Sequence, residues 1–254
     1  MRPRENSMLL ENKNAIVYGA AGAMGGAVAR AFGREGAHVF LAGRTLTRLD
    51  EVAGQIRADG GSATTGQLDA MDRTAVEAHA ARVVQTAGSL DISFNAISYK
   101  VVQNLPMTDI SLDDFLAPIT QASNTHFLTA TAAARHMTAQ HSGVIIMLSA
   151  CSSMETRHEM GGFGLANAAI EALTRSLAGE VGRAGVRVVG LRANFTPETV
   201  PGITASDYAS NVRDTLLGRL PRLQEVADTA VYLASPAAGA MTAATVNLTC
   251  GAII

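Results

Sequence analysis

Ala15-Ile16-Val17-Tyr18-Gly19-Ala20-Ala21-Gly22-Ala23-Met24-Gly25-Gly26 is the stretch on which the fold of this 254-residue chain turns. Ala15 to Tyr18 is a short β-type run, and the residues from Met24 to Glu35 follow a helical pattern closed by Gly36. Between them lies a turn of small residues. A strand that passes through such a turn straight into a helix presents unpaired backbone N–H groups and the positive end of the helix dipole to one point. A pyrophosphate can sit there, provided that small side chains let it approach. A tight turn with no ligand would have the same composition, so the rest of the chain has to supply the context.

Working outward, short β-type runs alternate with longer Ala-rich helical stretches. The runs are His38 to Ala42, Ser62 to Leu68, Asp91 to Asn95, Gly143 to Leu148, Val186 to Leu191 and Thr245 to Leu248. Repeated βαβ units of this kind build a parallel sheet with helices on both faces, a Rossmann-type doubly wound α/β fold of about seven strands. The length suits one large domain, expected over residues 9–254, with residues 1–8 as a loose arm. The helix from about Phe163 to Val181 carries Ala166, Ile170, Leu173, Leu177 and Val181 at steps of three and four, an apolar stripe that needs a packing partner.

Composition excludes several function classes. A net charge of −2 with scattered basic residues gives no electrostatic stripe for nucleic acid or a membrane surface. The start, Met1 to Met8, leads on without an apolar run, so neither a secretion signal nor an anchor is expected. Cys151 and Cys250 lack metal-ligand spacing and read as free thiols in a reducing compartment, which points to the cytoplasm and to no metal site.

The end of the second strand adds chemistry. An acidic residue there would accept hydrogen bonds from a ribose 2′-hydroxyl and select NAD, but the pair is Gly43-Arg44. Arginine favours a 2′-phosphate, so NADP is expected over NAD, the alternative being a solvated Arg that starts the next helix.

With these motifs in place, the chain resembles the short-chain dehydrogenase/reductase family from one end to the other. The first turn is similar to that family's Thr-Gly-x-x-x-Gly-x-Gly, with Gly19 and Gly25 matching, Ala23 in place of the middle glycine and Tyr18 in place of the Thr. The resemblance implies a cofactor cradle of Gly19, Ala21, Gly22, Ala23, Met24 and Gly25. The added methyl at Ala23 would push the pyrophosphate outward or require a small shift. Leu68 and Asp69 match the adenine-contacting positions, although Asp69 reads equally well as the N-cap of the following helix. Asn95-Ala96-Ile97-Ser98 stands where the family has Asn-Asn-Ala-Gly, so Asn95 and Ala96 join the expected cofactor set. Gly218-Arg219-Leu220 and the helical stretch after it resemble the family's final helix. The resemblance also implies a homodimer or homotetramer, and a variable substrate lid over residues 195–216.

The family's catalytic positions are emptied. Its members use a Tyr that gives or takes the proton, a Lys one helical turn on, a Ser and an Asn. Here Phe163 holds the Tyr position and Asn167 the Lys position. Counting back over Cys151 to Gly162 puts Ala150 at the Ser, and Ala122, five residues before Phe127, stands at the Asn. The only lysines are Lys13 and Lys100, so no lysine can occupy that helix whatever the alignment. Ser149 is one residue from the serine position, and neighbours on a strand face opposite ways. Asn124 is likewise displaced around its helix. The usual Pro-Gly after the sixth strand is replaced by Arg192-Ala193-Asn194, which would place Arg192 and Asn194 at the ligand-binding end of the sheet, or Arg192 as a salt-bridged rim residue. Other polar residues on that rim are Lys100, Ser152, Ser153, Glu155, Arg157 and Glu159. Candidates for a substitute proton donor are Tyr99 and His158.

Two functions follow as expectations. One is an NADP(H)-dependent oxidoreductase that reduces a small carbonyl, imine or activated alkene with altered proton delivery, Asn167 still touching the cofactor. The other is a small-molecule site on the same fold without redox activity, either a cyclase or isomerase or a catalytically silent subunit.

Overall fold

In the computed structural model, which describes residues 8–156 and 159–253, β1 (Asn14–Tyr18) is the central spine. Ile16 and Tyr18 face one side and Ala15 and Val17 the other, all of them buried. That is the pattern of a strand covered on both faces, which is why it reads as a continuous apolar run. It feeds α1 (Ala23–Arg34), β2 (His38–Gly43), α2 (Leu46–Ala58), β3 (Ser62–Gln67) and α3 (Arg73–Ala87). The chain then returns to the middle through β4 (Ile92–Asn95) and continues as α4 (Leu112–Ala139), β5 (Gly143–Ala150), α5 (Phe163–Val181) and β6 (Val186–Ala193). α6 (Ala205–Val212), α7 (Leu223–Ala234) and β7 (Thr245–Leu248) complete it.

The seven strands pair in parallel in the order β3-β2-β1-β4-β5-β6-β7. This is the Rossmann-type architecture. The strand order reverses between β1 and β4, and the crevice at such a switch point is where ligands bind in open parallel sheets. Register aligns Tyr18 with Ala42 on one side and Asn95 on the other, so the three strands end level and their following loops share one rim.

One apolar layer packs α1, α2 and α7 against the sheet, with Phe32 and Phe94 edge to face at 6.3 Å. The other packs α3, α4 and α5 around Ile16, Tyr18, Phe40, Met137 and Val188. Aromatics are few, so the layers close on Ala, Val, Ile and Leu at short range, and α1 meets α2 where Gly33 faces Ile56. The two cysteines are free thiols, Cys151 buried and Cys250 partly so. Among the described residues no helix is long and apolar enough to cross a membrane. Apart from Met8, the expected N-terminal arm lies outside the described residues.

Candidate active site

The first strand-to-helix junction is shaped by backbone. Gly19 adopts φ +75°, and an ideal Cβ there would stand 2.6 Å from the Ala96 carbonyl oxygen. A Cβ on Gly25 would run into the carbonyl oxygen of Gly19. Both glycines therefore let the loop fold onto the β4 exit and onto itself. Gly19 and Ala20 donate to the Ala42 carbonyl, and Gly22 donates back to Gly19. Gly22 and Ala23 are exposed at the start of α1, whose first-turn N–H groups have no intrahelical acceptor. The Ala23 methyl stands on the open side of that turn. Glycine in the cradle and an open helix N-terminus beside it fit a pyrophosphate.

From this junction a cleft of about 1070 Å³ runs along the carboxyl ends of the strands. Its first end is lined by Gly43, Arg44, Arg48, Leu68, Asp69 and Ala96. Arg44 is exposed, and its carbonyl accepts a hydrogen bond from Gln67 Nε2 (2.9 Å). The expectation that Asp69 caps the next helix is corrected. Asp72 is the N-cap of α3, accepting from Ala75 N, whereas Asp69 Oδ1 accepts from Met71 N two residues on and pins the loop. Asn95 is 3 % exposed and stands behind the cleft wall. Its amide donates to Thr129 Oγ1 (2.8 Å) and to the Thr125 carbonyl (3.3 Å), and its oxygen accepts from Ile97 N (3.0 Å), tying β4 to α4.

The other end of the cleft meets the family's catalytic positions. Phe163 and Tyr99 line it with ring centroids 5.8 Å apart, tilted by 45°. Asn167 is 2 % exposed and acts as a clamp. Its oxygen accepts from Ala150 N (2.9 Å), and its amide donates to the Phe163 carbonyl (2.9 Å) and to Ser152 Oγ (3.2 Å). The Tyr99 hydroxyl lies near this same side chain. Burial pushes the Tyr99 phenol above its ordinary range, and the neighbouring Asn167 amide only partly offsets that. Ala122 is fully buried in α4, and its carbonyl accepts from His126 Nδ1 (2.9 Å).

Ser149, on the cleft wall, and Arg192, behind it, are both held by a residue that sequence reasoning did not single out. Glu171, on the inner face of α5, accepts from Ser149 Oγ (2.9 Å), Ser153 Oγ (2.7 Å), Arg192 Nε (2.8 Å) and Arg192 Nη2 (2.6 Å). Burial pushes the Glu171 carboxyl up, but the hydrogen bonds from Arg192, Ser153 and Ser149 outweigh it and hold the group below the usual carboxylate range. The expectation of Arg192 as a ligand-facing residue is thereby corrected: it is a buried ion-pair partner, 8 % exposed. The available signal was an acidic residue within the apolar stripe of one helix and a basic residue ending an apolar strand, since buried charges need partners. Asn194 does line the cleft, where it accepts from Cys151 Sγ (3.1 Å) and from Phe195 N (2.7 Å). His158 and Arg157 lie outside the described residues. A second cavity of about 600 Å³ opens beside the cleft and shares Ser152, Glu155 and Met160 with it. Among the described residues no cluster of three metal-ligating side chains occurs.

Residues 19–252 match the family model described as enoyl-(acyl carrier protein) reductase, of the short-chain alcohol dehydrogenase type. The chain belongs to the short-chain dehydrogenase/reductase family. A gluconate 5-dehydrogenase of Gluconobacter oxydans is 28% identical over 231 residues, 90% of each chain. An uncharacterized oxidoreductase of Mycobacterium tuberculosis is 30% identical over 243 residues, 94% of this chain and 91% of that one. Among solved structures, a short-chain type dehydrogenase/reductase from Mycobacterium marinum superposes with a TM-score of 0.88 at 28% identity, covering 97% of this chain and 98% of that one. Fold and family are those of an oxidoreductase able to bind a nicotinamide dinucleotide.

Proposed function

We propose that this short-chain dehydrogenase/reductase is an NADP(H)-dependent reductase of a small carbonyl, imine or activated alkene, working without the family's usual proton-transfer residues. The observation that carries the reading is the cleft itself. It joins the phosphate junction, with Arg44 beyond it, to a wall made of Phe163, Tyr99 and Ala150.

Ala21 to Met24 would hold the pyrophosphate through backbone N–H groups at the start of α1. Arg44 would pair with a 2′-phosphate, while Leu68, Asp69 and Ala96 would border the adenine. When bound, the dihydronicotinamide supplies a hydride. The chain's own residues do the rest. Phe163 and the Tyr99 ring exclude water from one side of the reacting centre, Ala150 leaves space, and the Asn167 clamp fixes the turn at Cys151–Ser153 that forms the floor. The Tyr99 hydroxyl orients a substrate by hydrogen bonding. Its raised pKa and neutral partner make it a reluctant acid. Residues 195–216, which include α6, would serve as the substrate lid of one domain spanning 9–254. A homodimer or homotetramer formed through α4 and α5 is consistent with the exposure of Leu112, Leu116, Phe127 and Leu165 on those helices.

Titration followed by nicotinamide fluorescence tests the reading. NADPH binding at least tenfold tighter than NADH is expected. Failure of both to bind would favour the non-redox alternative, which the closure of Asn167 into a structural clamp otherwise supports.

A further inference from the structure

We infer that Arg48 is a second specificity-determining residue at the adenosine end of the cleft, where it and Arg44 clamp a ribose 2′-phosphate between two guanidinium groups. This rests on the reductase reading above and sharpens its cofactor half.

A phosphomonoester carries a charge of about −1.5 to −2 at neutral pH and presents three acceptor oxygens. One guanidinium leaves part of that charge uncompensated, whereas two can match both the charge and the oxygens. At the adenosine end of the cleft the charged side chains among the described lining residues are Arg44, Arg48 and Asp69. Asp69 is engaged by its own loop, its Oδ1 accepting from Met71 N (2.9 Å). Both arginines are exposed, and among the described residues neither guanidinium has a hydrogen-bond or ion-pair partner.

The backbone sets where the two side chains leave the fold. Arg44 follows the last residue of β2, and its carbonyl is held from the end of β3 by Gln67 Nε2 (2.9 Å). Arg48 stands four residues on, in the first turn of α2, and lines the same end of the cleft. Helix stability does not explain a cation at that position. The first turn is the positive end of the helix dipole and favours acidic side chains, yet the first turn of α2 holds none, and Thr45 before it makes no side-chain cap. Arg48 therefore adds positive charge where the helix already supplies it, beside a cleft. An anion of two charges held between Arg44 and Arg48 relieves that arrangement.

Adenosine 2′,5′-bisphosphate and 5′-AMP test this, because they differ only in the 2′-phosphate and carry no nicotinamide. Calorimetry on the full chain is expected to show the bisphosphate binding about a hundredfold tighter, the combined worth of charge-assisted hydrogen bonds from two side chains. Arg48→Gln keeps a good helix former at an exposed position. It should weaken the bisphosphate about tenfold and leave 5′-AMP within about twofold, with the melting temperature held, as for an ordinary surface substitution. Arg48→Lys should keep part of the preference, since it retains the charge and loses the planar fork. With Arg44→Ser added to Arg48→Gln, the two ligands should bind alike. A bisphosphate preference that Arg48→Gln leaves unaltered would overturn the inference, as would equal losses for both ligands, the mark of a merely structural residue, or no binding of the bisphosphate at all. A protein that prefers the bisphosphate without regard to Arg48 refutes only this clamp, whereas one that binds neither NADPH nor NADH refutes the reductase reading with it.

Discussion

Removing one half of the Glu171–Arg192 pair should be far more damaging than removing both. The side chains are 7% and 10% exposed, and the carboxylate is the acceptor for four donors. In Glu171→Gln the size is kept, but the guanidinium stays buried with its charge uncompensated, and the new amide meets its Nη2 donor to donor. Breaking a buried pair in this way costs about 3–5 kcal/mol, a large share of the roughly 5–15 kcal/mol that holds a domain together. For a chain of this size that corresponds to a fall in melting temperature of about 6–20 °C. The double change Glu171→Leu with Arg192→Met replaces the pair by apolar groups of similar volume and should lie within about 1–2 kcal/mol of the parent. Urea unfolding of the parent, of Glu171→Gln, of the single changes Glu171→Leu and Arg192→Met, and of the double variant closes the cycle. Equal and additive losses, or a Glu171→Gln variant within 0.5 kcal/mol of the parent by the surface-substitution yardstick, would refute the claim that the pair acts as one buried unit.

Arg44→Ser should weaken NADPH by about ten- to a hundredfold, the worth of a charge-assisted hydrogen bond or two, and leave NADH binding unchanged in the same titration. Stability should fall as the solution is acidified from pH 6.5 towards 4. Burial lowers His79 and His126 to about 4, below the unfolded value of 6.5, so the unfolded chain takes up the extra protons in that window. Unfolding midpoints measured across it should drop, and His79→Leu should flatten the slope; a slope unchanged in that variant would remove His79 from the explanation. Restoring Phe163→Tyr, Asn167→Lys and Ala150→Ser together should raise ketone reduction by about 10²-fold or more, the usual worth of a general acid. It should also destabilise the fold, because the Asn167 clamp on Ala150 is lost; NADPH binding with no gain in ketone turnover would count against the assumed geometry.

The sheet was legible because parallel, doubly covered strands announce themselves as apolar runs. Thr245–Leu248 and Phe163–Val181 coincide with their expected limits, and β5 and β6 run two residues beyond theirs, to Ala150 and Ala193. The added residues are Ser149, Ala150, Arg192 and Ala193, two alanines, a serine and a charged side chain, and none of these carries a strand signal of its own. The tight strand-to-helix junction was legible from its glycines. What stayed hidden was three-dimensional partnership. Glu171 meets Arg192 across 21 residues of chain, and Tyr99 reaches Asn167 across 68; no local period encodes either pairing. Asn167 could be read as a missing lysine that still touches the cofactor, but nothing in its neighbours says that its side chain closes on Ala150 and Ser152. Asp69 and Asp72 both suit an N-cap, and only the turn geometry separates them.

A crystal structure of the protein grown with NADPH tests the central claim most directly. The pyrophosphate should lie on the N–H groups at the start of α1, the 2′-phosphate beside Arg44, and the nicotinamide ring against Phe163 and Tyr99. Density for the nucleotide elsewhere, or a junction at Gly19–Gly25 closed against the diphosphate, would contradict it.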